Sequence, residues 1–343
     1  MKFGFIPTEG GHFYREALEQ VVLGEELGFD SVWMEEHHGV KNHYWPSPLV
    51  VLAGFAARTS TIRLGTDVVV LPFHHPVKAA EDAAMVDVIS NGRLTLGVAI
   101  GYRPDELALF GVAPETRGAR FVEQLAIMRR LWSEESVTFD GKFFQLQNAR
   151  LEPKPVQEGG IPIWLGAWGP LGMRRAATIA DGWIPGPTAK LEKLLSARDQ
   201  YHAELRKAGK DPATVPAPLT REVVIAATEE RARELAERHL MVNYRDEYGG
   251  GTWNHPLIGA SDAARVDVLD EIGRDRFIVG TPDQCIAKIQ HFRETFGMDH
   301  LICRLFFPGM PHEHIMEELR LLANEVMPAF RTDVAEGVTD PVA

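Results

Sequence analysis

The stretch that decides the fold is residues 28–38, GFDSVWMEEHH. Residues 32–34, VWM, are bulky and favour a β-strand. Residues 35–38, EEHH, follow at once, and the interior of a strand would reject four adjacent ionisable side chains. We therefore predict a short buried strand over residues 31–36 whose end opens at the rim of an active site.

Strand-like runs alternate with helical patterns on both sides of this stretch. Helical periodicity is clear over residues 14–27 and 118–132. Eight βα units without a Gly- or Pro-rich linker fit an α/β fold of the (β/α)8 TIM-barrel type better than two doubly wound domains. The other strand candidates are residues 2–8, 62–71, 93–100, 161–167, 182–185, 222–227 and 300–306.

The alternation breaks over residues 243–273, before the last strand. Long loops inside compact domains are often lids over a site, so the break predicts an insertion or lid. We expect one barrel domain over residues 1–331, followed by a loose polar tail over residues 332–343.

Composition narrows the possible partners and compartment. The formal net charge of -12 argues against nucleic acid or an anionic membrane as partner. No run approaches the roughly 18 apolar residues of a membrane span, and the first residues lack the apolar core of a signal peptide. Cys285 and Cys303 are too few for a disulfide scaffold and fit a reducing compartment. We expect a cytoplasmic protein that acts on a small molecule.

Catalytic residues of a barrel of this type come from the ends of its strands. After the second strand, His37 beside Glu36 could act as a general acid or base, or the two could form a structural ion pair. After the third strand, His75 could hydrogen-bond a ligand or cap local backbone. The sequence therefore predicts chemistry at two neighbouring rim positions.

Two further rim segments could hold a ligand. Tyr102 and Arg103, after the fourth strand, could stack on or clamp a planar molecule. Residues 166–172, GAWGPLG, precede a helical pattern, and glycines with unpaired amides at a helix start favour an anion, with Arg174 and Arg175 nearby. No GxGxxG motif follows the first strand and no P-loop motif occurs, which argues against classical dinucleotide and P-loop sites.

Four segments in order resemble the bacterial luciferase-like monooxygenase family, a group of (β/α)8 flavin-dependent enzymes. They are residues 28–38, residues 62–82 (IRLGTDVVVLPFHHPVKAAED), residues 89–112 (ISNGRLTLGVAIGYRPDELALFGV) and residues 161–183 (IPIWLGAWGPLGMRRAATIADGW). Residues 279–289, VGTPDQCIAKI, extend the resemblance more weakly toward the last strand. Four motifs in the right order are far more specific than any single one.

The resemblance implies roles for residues in these segments. His37, with Glu36 beside it, would manage protons next to the flavin, and His75 matches the histidine of the LPxxHP motif. Asp67 and Val68 fall where the family often carries a non-prolyl cis peptide against the flavin ring. The family's phosphate-binding turn matches four residues, Gly166, Ala167, Trp168 and Gly169. Together with Tyr102 and Arg103, these residues are the predicted cofactor-binding set.

The activity implied by the resemblance is oxygenation of a small organic substrate. FMN, reduced by a separate flavin reductase, would activate O2 in a dry cavity, and one oxygen atom would enter the substrate. The resemblance also implies a homodimer or a larger homo-oligomer.

Three alternatives remain open from the residues. Many FMN-using relatives place an arginine where this chain has Ile100, and the turn at 166–170 offers no hydroxyl, so FMN phosphate would need backbone amides plus Arg103, Arg174 or another basic group. The GxxGP form of this turn also resembles family members that use the deazaflavin F420, so an F420-dependent hydride-transfer oxidoreductase is one alternative. A metal-dependent hydrolase is the second, with ligands drawn from Glu36, His37, His38 and His43. Against it, the first strand lacks the His-x-His that such hydrolases commonly carry. A non-catalytic flavin-binding protein is the third.

Overall fold

The computed structural model of the protein describes residues 1–40, 44–245 and 268–331. Its centre is a curled sheet of parallel strands, and a small antiparallel hairpin, β6–β7, lies apart from it. In chain order the strands are β1 (Lys2–Ile6), β2 (Ser31–Met34), β3 (Arg63–Thr66), β4 (Val69–Val70), β5 (Leu94–Ala99), β6 (Val137–Asp140), β7 (Gln145–Ala149), β8 (Ile163–Gly166), β9 (Gly182–Trp183), β10 (Pro218–Ile225), β11 (Ile278–Gly280) and β12 (His300–Arg304).

The strands of the curled sheet follow the order β10–β12–β1–β2–β3–β5–β8–β9, and each neighbouring pair is parallel. The first and last strands are neighbours, with Lys2 opposite His300. The short strand β4 pairs with β5, and β11 adds to the other edge of β10. Parallel pairs need crossover connections, here mostly helical, so the predicted α/β fold of alternating strands and helices is confirmed.

Two hydrogen bonds show how strongly the sheet curls. The Thr220 hydroxyl on β10 donates to Asp67 Oδ2 after β3 at 2.6 Å, although three strands separate β10 from β3 in the sheet. Between β10 and the segment after β9, Arg221 Nη1 donates to the carbonyl oxygen of Pro187 at 2.6 Å. The interior enclosed in this way holds a separate apolar cluster of Ile6, Trp33, Trp164, Ile184 and Ile302.

Helices surround the sheet and bury one face each against it. In the first helix the buried residues Ala17, Val21 and Gly24 recur at helical spacing, and Gly28, at a φ of 81°, adopts the left-handed conformation that ends it. The α-helices are α1 (Tyr14–Glu26), α2 (Pro48–Ala56), α3 (Pro76–Ser90), α4 (Pro104–Leu109), α5 (Arg117–Ser133), α6 (Gly169–Ile179), α7 (Leu191–Lys207), α8 (Glu229–Leu235), α9 (Met241–Tyr244), α10 (Leu269–Gly273), α11 (Pro282–Phe296), α12 (His312–Leu321) and α13 (Pro328–Arg331). Short 3-10 turns (Leu71–Phe73, Pro212–Thr214) and π-helical turns (Ala236–Leu240, Leu322–Val326) complete the set.

The structure differs from the sequence prediction in several places, among them an unpredicted short strand, β11, and a β10 that begins at residue 218 instead of 222. The third predicted strand is divided into β3 and β4 by a cis peptide between Asp67 and Val68. The hairpin β6–β7 was not predicted, because a distant carboxylate, Glu123, organises its turn by accepting the amides of Lys142 and Phe143, both at 2.9 Å. Helix α6 begins at residue 169 instead of 173, since a proline fits the first turn of a helix.

Most of the predicted lid, residues 246–267, and all of the predicted tail, residues 332–343, lie outside the described residues. The described ends of the 243–273 segment belong to α9 and α10. The single-domain division therefore stays a prediction. In the described part of the chain, no helix combines the length and apolar character needed to cross a bilayer.

Candidate active site

A cavity of about 430 Å³ opens at the carboxyl ends of β2, β3, β5 and β8. This volume lies within the range of small-molecule and cofactor sites. Its lining comprises Glu35, Glu36, His37, Tyr44, Asp67, Val68, Val70, Ala99, Ile100, Gly101, Tyr102, Arg117, Phe121, Leu165, Gly166, Ala167, Trp168, Leu171, Gly172, Arg175, Ile184, Gly186, Pro187, Thr188, Lys193 and Arg304.

The cavity brings together most of the residues singled out from the sequence. Those on its wall are Glu36, His37, Asp67, Val68, Tyr102, Gly166, Ala167 and Trp168. Gly169, Arg103 and His75 were also predicted but do not line the cavity. The second strand, the third strand and the glycine-rich turn therefore meet at one place, as the barrel topology requires.

His37 is held by a carboxylate that the sequence reasoning did not single out. Its Nδ1 lies 2.9 Å from Glu106 Oε1, and Glu106 is buried at the start of α4. Since a carboxylate only accepts, this bond fixes the tautomer with the proton on Nδ1 and leaves Nε2 as the proton-accepting nitrogen. The ring also packs against Tyr44, with centroids 4.6 Å apart.

Arg103 holds the same carboxylate instead of facing the ligand space. Its Nη1 lies 3.3 Å from Glu106 Oε1, and its Nη2 donates to Asp105 at 2.9 Å. The guanidinium is buried behind the cavity wall. The predicted clamp on a planar ligand is thus not supported at Arg103, because its side chain is directed to two carboxylates. Tyr102, in contrast, lines the cavity beside His37.

Glu36 connects the segment after β2 to the segment after β3 by hydrogen bonds. Its Oε1 accepts from His38 Nε2 at 3.0 Å and His74 Nε2 at 2.9 Å, and its Oε2 accepts from the Val70 amide at 2.5 Å. Burial acts to raise the pKa of Glu36, but these hydrogen bonds outweigh it and the pKa lies below its usual value. A carboxylate stabilised in this way is a poor proton donor. These contacts support a positioning role for Glu36, and its catalytic role stays a prediction.

Replacing Glu36 by glutamine is expected to destabilise the fold by about 2 kcal/mol at pH 7, because the amide cannot accept all three hydrogen bonds. A lowered folded pKa means that the carboxylate stabilises the fold above its unfolded pKa of about 4.5 and loses this contribution as the pH falls through the folded pKa. The free energies of unfolding of the variant and the wild type, measured in urea, should thus converge at low pH. Glu115→Gln, at an exposed residue, is the control, and an equal loss there would contradict the assignment.

His75 lies at the start of α3 and away from the cavity. Its Nδ1 accepts from the Val77 amide at 3.3 Å, its ring packs edge-on against Phe144, and its side chain is exposed. Of the two roles considered from the sequence, capping of local backbone is the one this geometry supports. The neighbouring His74 reaches the rim network instead.

Asp67 and Val68 form part of the cavity wall on either side of the cis peptide. Burial raises the pKa of Asp67 to about 7 against the hydrogen bond from Thr220, while Glu35 adds to the rise and Arg304 opposes it. A carboxyl group with this pKa exchanges its proton near neutrality. It therefore adds a second proton-active group to the wall that carries His37.

The more exposed end of the cavity is cationic. Arg117, Arg175 and Lys193 line it next to the turn that starts α6. Within the described residues, Arg117 and Arg175 have neither a hydrogen bond nor an ion pair, and burial alone lowers the pKa of Arg175. The first turn of α6, which has no side-chain cap, adds open backbone amides. This end fits a phosphate group.

Some of these residues carried a sequence signal and others did not. Glu106 lies three residues after Arg103, where a helix could begin. Arg304 is a charge inside an apolar strand candidate, which is costly unless it is paired. Arg117 and Lys193 lie in ordinary surface-type helical patterns, and only the fold shows that they meet. Arg175 was noted, whereas Arg174 is exposed and not on the cavity.

The metal alternative finds no support in the described residues. Among them, no group of three or more His, Cys, Asp or Glu side chains is arranged to hold a metal ion. His38 is directed to Glu36 and His37 to Glu106. The fourth candidate ligand, His43, lies outside the described residues.

Comparisons with known proteins agree with the family resemblance of the sequence motifs. The family model for luciferase-like monooxygenases matches residues 3–300. A 4-hydroxyprotoasukamycin monooxygenase from Streptomyces nodosus is 31% identical, over 92% of this chain and 86% of its own length. An F420-dependent glucose-6-phosphate dehydrogenase from Microbacterium testaceum is also 31% identical, over 96% of this chain and 98% of its own.

Solved structures show the same likeness. The crystal structure of monooxygenase RslO1 from Streptomyces bottropensis superposes with a TM-score of 0.85 at 29% identity, over 96% of this chain and all (100%) of that one. The FMN-bound oxygenating constituent of 3,6-diketocamphane monooxygenase from Pseudomonas putida has a TM-score of 0.78 at 22% identity, over 96% of this chain and 98% of that one, and so shows the shared fold. With a family match across most of its length, the chain belongs to the luciferase-like monooxygenase family, as its motifs predicted.

Proposed function

We propose that the protein is a reduced-flavin-dependent monooxygenase that inserts one oxygen atom from O2 into a small organic substrate. The observation that carries the proposal is the division of one cavity into two chemically different ends. One wall holds His37, oriented by Glu106, and the other end gathers three cationic side chains beside the first turn of α6. A planar cofactor with a phosphate tail matches this arrangement.

The residues present fit FMN. Arg117, Arg175 and Lys193, with the open amides of α6, would hold the phosphate, and these groups replace the arginine that Ile100 does not supply. Gly166 packs closely on Val68, where an added Cβ would lie 3.2 Å from the valine Cγ1, so the turn passes tightly behind the ligand space. Bound reduced flavin would supply the electrons that activate O2.

The chain's own residues would control protons and water around this chemistry. His37 Nε2, with its other nitrogen held by Glu106, can take up a proton from substrate or cofactor and return it. The apolar side chains of Val68, Leu165 and Trp168 line the cavity and would exclude water from it. The named activities of RslO1 and of the Streptomyces nodosus relative support oxygenation.

F420 with hydride transfer is the second candidate. It is favoured by the Microbacterium testaceum relative, whose name states that cofactor and whose identity extends over 96% of this chain. Both cofactors carry a phosphate, so the cationic end of the cavity accommodates either.

Binding and oxidation measurements separate the two. Fluorescence titration of the full chain with reduced FMN, oxidised FMN and F420 should show the tightest binding for reduced FMN. Stopped-flow mixing of that complex with O2 should then show oxidation slower than that of free reduced FMN, with delayed release of peroxide. Binding of F420 in preference to both forms of FMN would refute the proposal and favour hydride transfer.

Three further properties are part of the proposal. A separate flavin reductase would deliver reduced FMN, and the proposal is supported by a 28% identical relative from Acinetobacter baylyi that is named the oxygenase component of a flavin-dependent monooxygenase. A homodimer is supported by exposed apolar side chains on the neighbouring helices α2 and α3, namely Val50, Met85, Val88 and Ile89, and sedimentation would measure it. A cytoplasmic location is supported by two buried free thiols, Cys285 and Cys303.

A further inference from the structure

At and behind the buried end of the cavity, the described residues include more carboxyl groups than cations. Arg304 is 2% exposed, and four buried carboxyl groups, those of Glu9, Glu35, Asp67 and Glu222, interact with its charge. A second guanidinium, that of Arg221, acts to lower the pKa of Glu222, which burial raises. Burial of ionised carboxylates without matching cations is costly, so this end favours either added protons or an added positive charge.

Two of these carboxyl groups face the ligand space. Glu35 is 8% exposed and lines the cavity, and its Oε2 accepts no hydrogen bond, although it lies 3.1 Å from Arg304 Nε. Asp67 is 9% exposed and lines the cavity as well. Its Oδ2 accepts from the Thr220 hydroxyl at 2.6 Å, and Oδ1 takes no hydrogen bond within the described residues. Each group therefore has one oxygen with acceptor capacity left.

The guanidinium of Arg304 is already engaged. Arg304 Nη2 donates to the Tyr44 hydroxyl at 2.7 Å, and its carbon centre lies over the rings of Tyr44 and Phe307 at 5.4 and 5.7 Å. It cannot turn toward Asp67 without giving up these contacts. The Tyr44 ring also lines the cavity and offers an aromatic edge or face beside Glu35. Carboxylate oxygens next to an aromatic ring form a favourable environment for an organic cation.

We propose that this inner end is a subsite for a positively charged group of the substrate, a protonated amine or a cationic nitrogen heterocycle, and that Asp67 and Glu35 select it. The inference rests on the proposed function and adds the substrate class to it. The two ends of the cavity then carry opposite preferences: phosphate at the exposed end, and an organic cation at the buried end.

The subsite can be tested with the full chain and a matched pair of probes. Benzylamine and benzyl alcohol have nearly the same size, and only the amine is charged near neutral pH. Calorimetric titration should show the amine binding at least about tenfold more tightly than the alcohol. Asp67→Asn should remove most of this difference and leave the affinity for the alcohol unchanged. Asp283→Asn, at an exposed position, should alter the affinity for neither probe.

The pH dependence gives an independent readout that needs no variant. Asp67 is faced by Thr220 from β10, by Glu35 after β2 and by Arg304 from β12. Because burial raises the pKa of Asp67 to about 7, the amine should bind more tightly at pH 8 than at pH 6, and the alcohol should not. Equal binding of amine and alcohol, or tighter binding of the amine at pH 6, would overturn the inference.

Repeating the titrations with and without FMN separates this inference from the proposed function. Selective binding of the amine by a chain that does not bind FMN would leave the cation subsite standing and remove the monooxygenase proposal. Binding of FMN without preference for the amine would do the reverse.

Discussion

Replacing His37 by alanine is expected to lower the turnover of substrate oxygenation by about 10²- to 10⁴-fold, the usual contribution of a positioned general acid or base. The affinity for reduced FMN should change by less than about threefold, because Arg117, Arg175 and Lys193, and not His37, would hold the phosphate. Steady-state turnover with excess reduced flavin measures the first quantity, and fluorescence titration measures the second.

The matched control is His291→Ala, because His291 is an exposed histidine on α11 that does not line the cavity. It should leave both quantities unchanged. A supporting variant is Glu106→Gln, which keeps the size of the side chain that orients the imidazole and removes its charge. If His37→Ala kept full turnover while binding flavin normally, the proton-transfer assignment would be wrong.

Replacing Arg175 by methionine is expected to weaken the binding of FMN by about 10- to 100-fold, the typical value of a charge-assisted hydrogen bond to phosphate. Methionine keeps the apolar volume of the side chain and removes the guanidinium. Riboflavin has the same ring without the phosphate, so its dissociation constant should be the same for the variant and the wild type. Equilibrium titration of both ligands measures the difference.

Arg174→Met provides the control for this variant, since Arg174 is adjacent in sequence but exposed and off the cavity. It should change the affinity for neither ligand. Equal weakening of FMN and riboflavin by Arg175→Met would show that Arg175 shapes the ring pocket instead of binding the phosphate. An effect of Arg174→Met as large as that of Arg175→Met would mean that only the general charge of the surface matters.

The alternation of strands and helices was predictable because each element depends on its own residues. Residues 31–36 give a buried apolar strand with polar residues at its end, and the structure places β2 at Ser31–Met34. The hairpin β6–β7 was not predictable in this way, since the contacts of Glu123, which is distant in sequence, organise its turn. The spacing of apolar residues within a segment shows whether it forms a helix or a strand. A hydrogen bond between residues that are distant in sequence leaves no such pattern.

The residues of the candidate site also fall into two groups, those that local sequence pattern predicts and those that only the fold brings together. His37, Asp67 and the glycine-rich turn were found from the sequence because rim position and motif spacing are local properties. Glu106, Arg117 and Lys193 come from three different helices or helix starts. The curled sheet brings Arg117 and Lys193 to the cavity wall and Glu106 to the imidazole of His37. The choice between His74 and His75 also needed coordinates, because adjacent residues at a helix start point in different directions.

The pairing of β1 with β12 has a consequence for the synthesis of the chain. Lys2 through Ile6 find their partners only at His300 through Arg304, so β1 keeps one open edge until nearly the whole chain has left the ribosome. An open, apolar strand edge is prone to pair with other chains. Ribosome-bound fragments that end before β12 should accordingly associate with chaperones or aggregate, and synthesis of β12 should relieve this by covering the open edge of β1.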